Sequence, residues 1–196
     1  MKVIGLCGGS GSGKGMVSGI FLEIGIPSID TDAVYREMTL SDSSCMRALR
    51  QEFGDEVVNS LGGLDRTRLG SIVFNDPSRL KILNKIAHSF ILDETRRRIA
   101  IYRDEGFPAA IVDAPVLFES GFDLECEEVI CVIADKESRI KRIMSRDRIT
   151  REAAEKRIAS QMPDEILISK CDHVIYNNSD IESLREEIIT LKNKLI

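Results

Sequence analysis

Val3-Ile4-Gly5-Leu6-Cys7-Gly8-Gly9-Ser10-Gly11-Ser12-Gly13-Lys14-Gly15 is the stretch on which the reading of this chain turns. An apolar run stops at a glycine-rich turn that carries one lysine. Glycine admits positive φ, so successive backbone N–H groups can point into one concavity and cradle phosphate oxygens. A helix expected directly after the turn adds its N-terminal partial positive charge to the same place. Lys14 can reach the β and γ phosphates as a point charge. The phosphate-binding pattern G-x-x-x-x-G-K-[ST] is met at Gly8, Gly13 and Lys14 and missed at its last position. There Gly15 replaces the hydroxyl residue that ordinarily holds Mg²⁺. The same letters also describe a plain flexible turn. The apolar strand before it and the amphipathic segment Met16–Ile24 after it favour the phosphate cradle.

Working outward, four more short apolar runs follow: Ile26–Ile29, Ala109–Val112, Val129–Ile133 and His173–Tyr176. Helical patterns separate them, which predicts an α/β fold of the P-loop NTPase type: three layers around a central parallel five-stranded sheet. The gap between the second and third runs is long and reads as several helices, a helical insertion over roughly 33–106. Within it Leu80, Leu83, Ile86, Ala87 and Phe90 keep a helical period, and Gly62-Gly63 punctuates it. A second helical region spans 136–169. The stripe Ile181, Leu184, Ile188, Leu191, Leu195 reads as a packing face. At 196 residues the whole is expected to be one domain, 1–196, with that insertion.

Composition narrows the function classes. Apolar content of 43% supports a substantial core, and no apolar run is long enough to span a membrane. The apolar stretch after Lys2 is too short for a secretory signal, so a cytoplasmic protein is expected. A net charge of −5, with 5% aromatics and no Trp, argues against nucleic acid as a partner. The five cysteines include no C-x-x-C pair and are expected to be reduced, unclustered thiols, since a zinc site would need tighter clustering.

In open α/β sheets ligands bind beyond the carboxyl ends of the strands. Three acids are expected there: Asp30 and Asp32 after the second run, and Asp113 after the third. If the backbone stays extended, Asp30 and Asp32 project to one side, where one can take the proton of an attacking hydroxyl. Asp32 also stands directly before the segment Ala33–Met38 and could simply cap that helix. Asp113 either holds Mg²⁺ through water or satisfies loop amides. Arg139, Arg142 and Arg146 recur at helical spacing, with Arg148, Arg151 and Arg157 close behind. They form either a lid that brings cations over ATP or a solvated basic face, given the acids between them. His88 sits in a helical pattern, where a histidine is more often structural than catalytic.

In order and spacing these pieces resemble the dephospho-coenzyme A kinase family across nearly the whole chain. The resemblance runs from Leu6–Lys14 through Ile29-Asp30-Thr31-Asp32 with Arg36, then Asp65-Arg66, Val73-Phe74-Asn75-Asp76-Pro77 and Leu83-Asn84-Lys85-Ile86-Ala87-His88. It continues through Asp113-Ala114-Pro115-Val116-Leu117-Phe118-Glu119-Ser120-Gly121, then Arg142, Arg146-Asp147, Arg157-Ile158 and Gln161, and ends at Asp172-His173-Val174-Ile175-Tyr176-Asn177. The chain departs from the family pattern at Gly15, Ser89 and Arg139. The resemblance implies ATP-dependent phosphorylation of the ribose 3′-hydroxyl of dephospho-CoA, with ATP and Mg²⁺ required and only small-molecule partners. It implies Asp32 as general base, with Lys14, Arg142 and Arg146 beside the transferred charge. Gly9, Ser10, Gly11, Ser12, Gly13, Lys14, Gly15, Met16, Arg142, Arg146 and Asn177 would bind ATP. Asp32, Arg36, His88, Phe118 and Glu119 would meet the acceptor, and Asp113 would face the metal through water. On the residues alone, a related nucleoside or nucleotide kinase, or a nucleotide-binding regulatory protein without turnover, stays open beside it.

Overall fold

Each of the five apolar runs becomes a strand in the computed structural model, which describes residues 1–196. They are β1 (Lys2–Cys7), β2 (Ser28–Asp30), β3 (Ala109–Asp113), β4 (Glu128–Ile133) and β5 (His173–Tyr176). The sheet order is β2-β3-β1-β4-β5, with β1 parallel to both β3 and β4, and β4 parallel to β5. β1 is therefore central: the chain runs from it to the β2 edge, returns through β3, and crosses past β1 to β4 and β5 on the other side. That switch point, at the carboxyl end of β1, is where α/β sheets form their ligand crevice.

The chain divides into two units. One holds residues 1–29 and 99–196, the other residues 30–98.

In the first unit, α1 (Lys14–Glu23) and α10 (Ile181–Leu195) cover one face of the sheet. Ile4 and Leu6 of β1, Ile111 of β3, and Ile130 and Val132 of β4 point to that face and pack with Val17, Phe21, Leu184 and Ile188. The period of two along each strand sends Gly5, Cys7 and Cys131 to the opposite face. There Leu117 of α6 (Leu117–Ser120) fills the space above Gly5, 2.8 Å from where a Cβ would stand. The C-terminal stripe is buried as expected except at Ile181, the first helical residue, which is exposed. The expected region 136–169 becomes α7 (Lys136–Asp147), α8 (Arg151–Ala159) and α9 (Asp164–Ser169). Ile140 and Ile143 of α7 close on Ala154 of α8.

The second unit is all helical: α2 (Thr31–Met38), α3 (Ser44–Phe53), a 3₁₀ turn at Asp55–Val57, α4 (Arg66–Val73) and the first part of α5 (Pro77–Asp104). Its core is Cys45, Met46, Leu49, Phe53, Val57, Leu64, Leu69 and Val73, with Leu80, Leu83, Ile86 and Phe90 of α5 packed against it. Helix starts are set locally. Ser43 caps α3 through the Met46 amide, and Asp65 caps α4 through the Arg68 amide. The Gly62-Gly63 punctuation is a turn in which Asn59 Oδ1 accepts from the Leu61 and Gly63 amides.

One local expectation is overturned here. The second strand begins at Ser28 rather than Ile26, and the helix after it begins at Thr31 rather than Ala33. The cap of α2 is Asp30, whose Oδ1 accepts from the Asp32 and Ala33 amides at 2.9 and 3.1 Å. The backbone is not extended from Asp30 to Asp32, and the capping role considered for Asp32 belongs to Asp30.

Candidate active site

The glycine turn after β1 is shaped by its carbonyls. The Ser10 carbonyl accepts from Arg139 Nε at 2.9 Å. The Gly11 and Ser12 carbonyls accept from Arg142 Nη1 at 3.1 and 3.2 Å, and Asn177 Nδ2 donates to the Ser12 carbonyl at 2.8 Å. A trans peptide directs each N–H opposite to the carbonyl before it. Pinning these carbonyls therefore turns the Gly11 and Gly13 amides the other way. Neither finds an acceptor within the protein, and nor does the Gly15 amide. Gly13 caps α1 in the left-handed region, φ 93°, and no side chain closes that helix start. Open amides at a helix N-terminus make an anion site.

The glycines are required by contact as much as by φ. A Cβ on Gly13 would fall 1.9 Å from Asn177 Nδ2, and one on Gly11 would fall 2.6 Å from the Arg139 carbonyl oxygen. Gly15 differs: it is exposed, lacks a positive φ, and a Cβ there would meet nothing within 4 Å. Met16, beside it, is also exposed.

Lys14 Nζ lies against Asp113 Oδ1, both side chains mostly buried. Asp113 ends β3, paired in register with Leu6 of β1, so the acid stands beside the start of the turn. The residues present suit Mg²⁺, which keeps several waters and needs only one or two carboxylates beside substrate phosphates. Asp113 supplies the carboxylate. Gly15 supplies no hydroxyl, while Ser12 Oγ is buried and without a hydrogen-bond partner.

The three arginines of α7 do not behave as one face. Arg139 is 4% exposed; besides Ser10 it bonds both carboxylate oxygens of Asp164, at 2.9 and 3.0 Å, and Gln161 Oε1 at 3.3 Å. Arg142 is half-buried, and its Nη2 also holds the Asn177 carbonyl at 3.1 Å. Arg146 is exposed and grips its neighbour Asp147 with Nε and Nη2 at 2.8 and 2.9 Å. With Arg157 on the same carboxylate, that hydrogen bonding holds Asp147 down at about 2. Gln161 clasps Ser10 twice, accepting from its amide at 2.8 Å and donating to its hydroxyl at 3.0 Å.

Phe118 and Glu119 of α6 line a cleft of about 230 Å³ together with Cys7, Gly8, Gly9, Gln161 and Met162. Lys170 Nζ sits 5.2 Å from the Phe118 ring centroid, a cation–π contact.

In the helical unit, Asp32 is exposed in the first turn of α2, and Arg36 on the same helix reaches Asp30 Oδ2 at 3.4 Å. His88 is half-buried on α5, one residue past the core position Ala87. Two features escaped the sequence. Arg139 and Asp164 join separate helices, so no periodicity links them. Three cysteines that looked scattered, Cys7, Cys131 and Cys171, stand together.

No helix of the chain is long and apolar enough to cross a membrane. Residues 2–183 match the dephospho-CoA kinase family profile. A dephospho-CoA kinase from Bacillus cereus is 39% identical over 193 residues, covering 97% of this chain and 96% of its own. Dephospho-CoA kinase from Campylobacter jejuni superposes with a TM-score of 0.74 at 28% identity, covering 100% of this chain and 98% of its own. A crystal structure from Thermus thermophilus superposes at 0.85, also at 28% identity, covering 100% and 98%. A glycine turn with open amides on a central parallel strand, and likeness sustained along the whole sequence, lead to one conclusion: this chain belongs to the dephospho-CoA kinase family.

Proposed function

We infer that the chain transfers the γ-phosphoryl group of ATP to the ribose 3′-hydroxyl of dephospho-CoA, giving CoA and ADP, the last step of coenzyme A synthesis. The single observation that carries this is family membership over residues 2–183 in a chain whose phosphate turn leaves its amides open. Gly9 through Met16 bind the ATP phosphates, the open Gly11, Gly13 and Gly15 amides complementing negative charge. Lys14 would place its charge on the phosphates, and Asp113 would be the carboxylate that holds the metal. Mg²⁺, when bound, neutralises charge on the phosphate oxygens.

Arg142 and Asn177 act as positioning residues as much as ligands, because their donors already shape the turn. Arg146 is the cation with most freedom to meet transferred charge, since Arg157 remains on Asp147 when Arg146 leaves. Asp32 is the general base for the acceptor hydroxyl. Its carboxylate is exposed and does not cap the helix, a task Asp30 performs. Arg36, His88, Phe118 and Glu119 recognise the acceptor. Residues 136–169 serve as the lid, with α7 tied down and α8 the part farther along the chain from those ties.

Asp32→Asn tests this assignment. It is expected to lower kcat by roughly 10²–10⁴-fold, the usual worth of a general base, while ATP affinity holds. Equal losses in turnover and ATP affinity would overturn the assignment of Asp32 as base.

A further inference from the structure

Cys7, Cys131 and Cys171 come from three separate places in the chain. Cys7 ends β1, immediately before Gly8 of the phosphate turn. Cys131 is its direct partner on β4, and both side chains leave the sheet on the face opposite Leu6 and Ile130. Cys171 lies between α9 and β5, where its thiol meets the Leu167 carbonyl at 3.1 Å. The three Sγ atoms all lie within 4.8 Å of one another, and Cys7 and Cys171 are 3.5 Å apart. Cys7 and Cys131 are buried, Cys171 is half-buried, and all are free. The spacing 7, 131, 171 carries no ligand signature, so the expectation of unclustered thiols fails through topology.

This geometry matches what a thiophilic ion requires. Metal–sulfur bonds of about 2.3 Å place the sulfurs of one coordination sphere roughly 3.8–4.0 Å apart. The donor set is all sulfur, with no oxygen or imidazole in it, which selects soft ions and disfavours Mg²⁺ or Ca²⁺. The cleft of about 230 Å³ lined by Cys7 gives a route in, and the Met162 thioether lines the same cleft.

We propose that Cys7, Cys131 and Cys171 form a three-sulfur site for one soft d¹⁰ metal ion, Zn²⁺ or Cu⁺, reached through the cleft beside the phosphate turn. Binding releases to solvent the protons the sulfurs carry. The site stands on sulfur geometry and is independent of the phosphoryl-transfer reading.

The test uses the full chain, freshly reduced, with all five thiols titrating and no thiol in the buffer. Zn²⁺ and Cu⁺ are titrated separately against a competing chelator for each ion, and X-ray absorption reads the first shell. One ion per chain, with a sulfur-dominated shell, is expected from at least one of the two metals, and the relative affinities decide which. Cys171→Ser should weaken binding by roughly a hundredfold or more. Cys126→Ser and Cys45→Ser should leave it unchanged. Cys131→Ala provides a second loss variant, and circular dichroism checks that each variant is folded. Binding of neither metal, an oxygen or nitrogen shell, or wild-type affinity in both Cys171→Ser and Cys131→Ala would each overturn the site.

Discussion

The carbonyls of the phosphate turn are held by side chains 129 to 165 positions away in sequence, on α7 and after β5. In the helical insertion the corresponding polar work is local. Asp30, Ser43, Asp65 and Asp76 each accept from amides two or three residues further on. The two regions thus solve the same problem, unpaired backbone groups, in opposite ways. In the insertion, each cap takes one or two amides of its helix start with a side chain from the same turn. In the turn, arginines and an asparagine take the carbonyl side and leave amides open. A local cap stabilises a helix; a long-range strap leaves amides open.

The comparison breaks most readily at Arg139. Arg139→Ala leaves the Ser10 carbonyl and Asp164 without their donor. A fully buried pair broken this way costs about 3–5 kcal/mol; Asp164 keeps a third of its side chain in water, so about 2–3 kcal/mol is expected. ATP affinity should fall as well, because the turn loses its shape. Arg139→Lys keeps the charge but not the fork and should recover only part of the loss. Thermal unfolding and nucleotide titration read the two effects. Stability lost with ATP affinity intact would show that the strap holds the helices and not the turn.

Ser43→Ala sharpens the contrast from the other side. It removes a local cap and should cost about 1 kcal/mol. ATP affinity should not change, and a change would erase the distinction between the two plans.

Gly15→Ser is the smallest perturbation. A Cβ there has open space, and serine is a slightly better helix former than glycine, by a few tenths of a kcal/mol. The fold should be untouched while the Mg²⁺ concentration for half-maximal rate falls severalfold. An unchanged Mg²⁺ requirement would mean that Gly15 does not limit metal binding.

Most of the fold was legible because it is written locally. The strand runs and the terminal stripe follow from period and punctuation, and the five strands and the C-terminal helix are found. The Asp30–Asp32 segment was misread by two residues because both acids are plausible caps and only the helix start distinguishes them. The turn itself was legible as glycines and a lysine. Its rigidity was not, since Arg139 reads as one of a row of helical arginines until Asp164, Gln161 and Ser10 are seen around it. The cysteine cluster depends on strand order: Cys7 and Cys131 become neighbours only when β4 takes its place beside β1. Of the residues proposed for the acceptor side, Asp32 was read from its place after the second strand, while Arg36 and His88 came through family likeness. Exposed or half-buried, none belongs to the buried core that periodicity reveals.

The most direct measurement is ADP release from ATP and Mg²⁺ by the purified chain, with dephospho-CoA, AMP, adenosine or no acceptor, and the product identified. Rapid ADP release with dephospho-CoA alone, matched by formation of CoA, is the predicted result. Turnover on AMP or adenosine in preference to dephospho-CoA, or ATP binding without turnover on any acceptor, would contradict it.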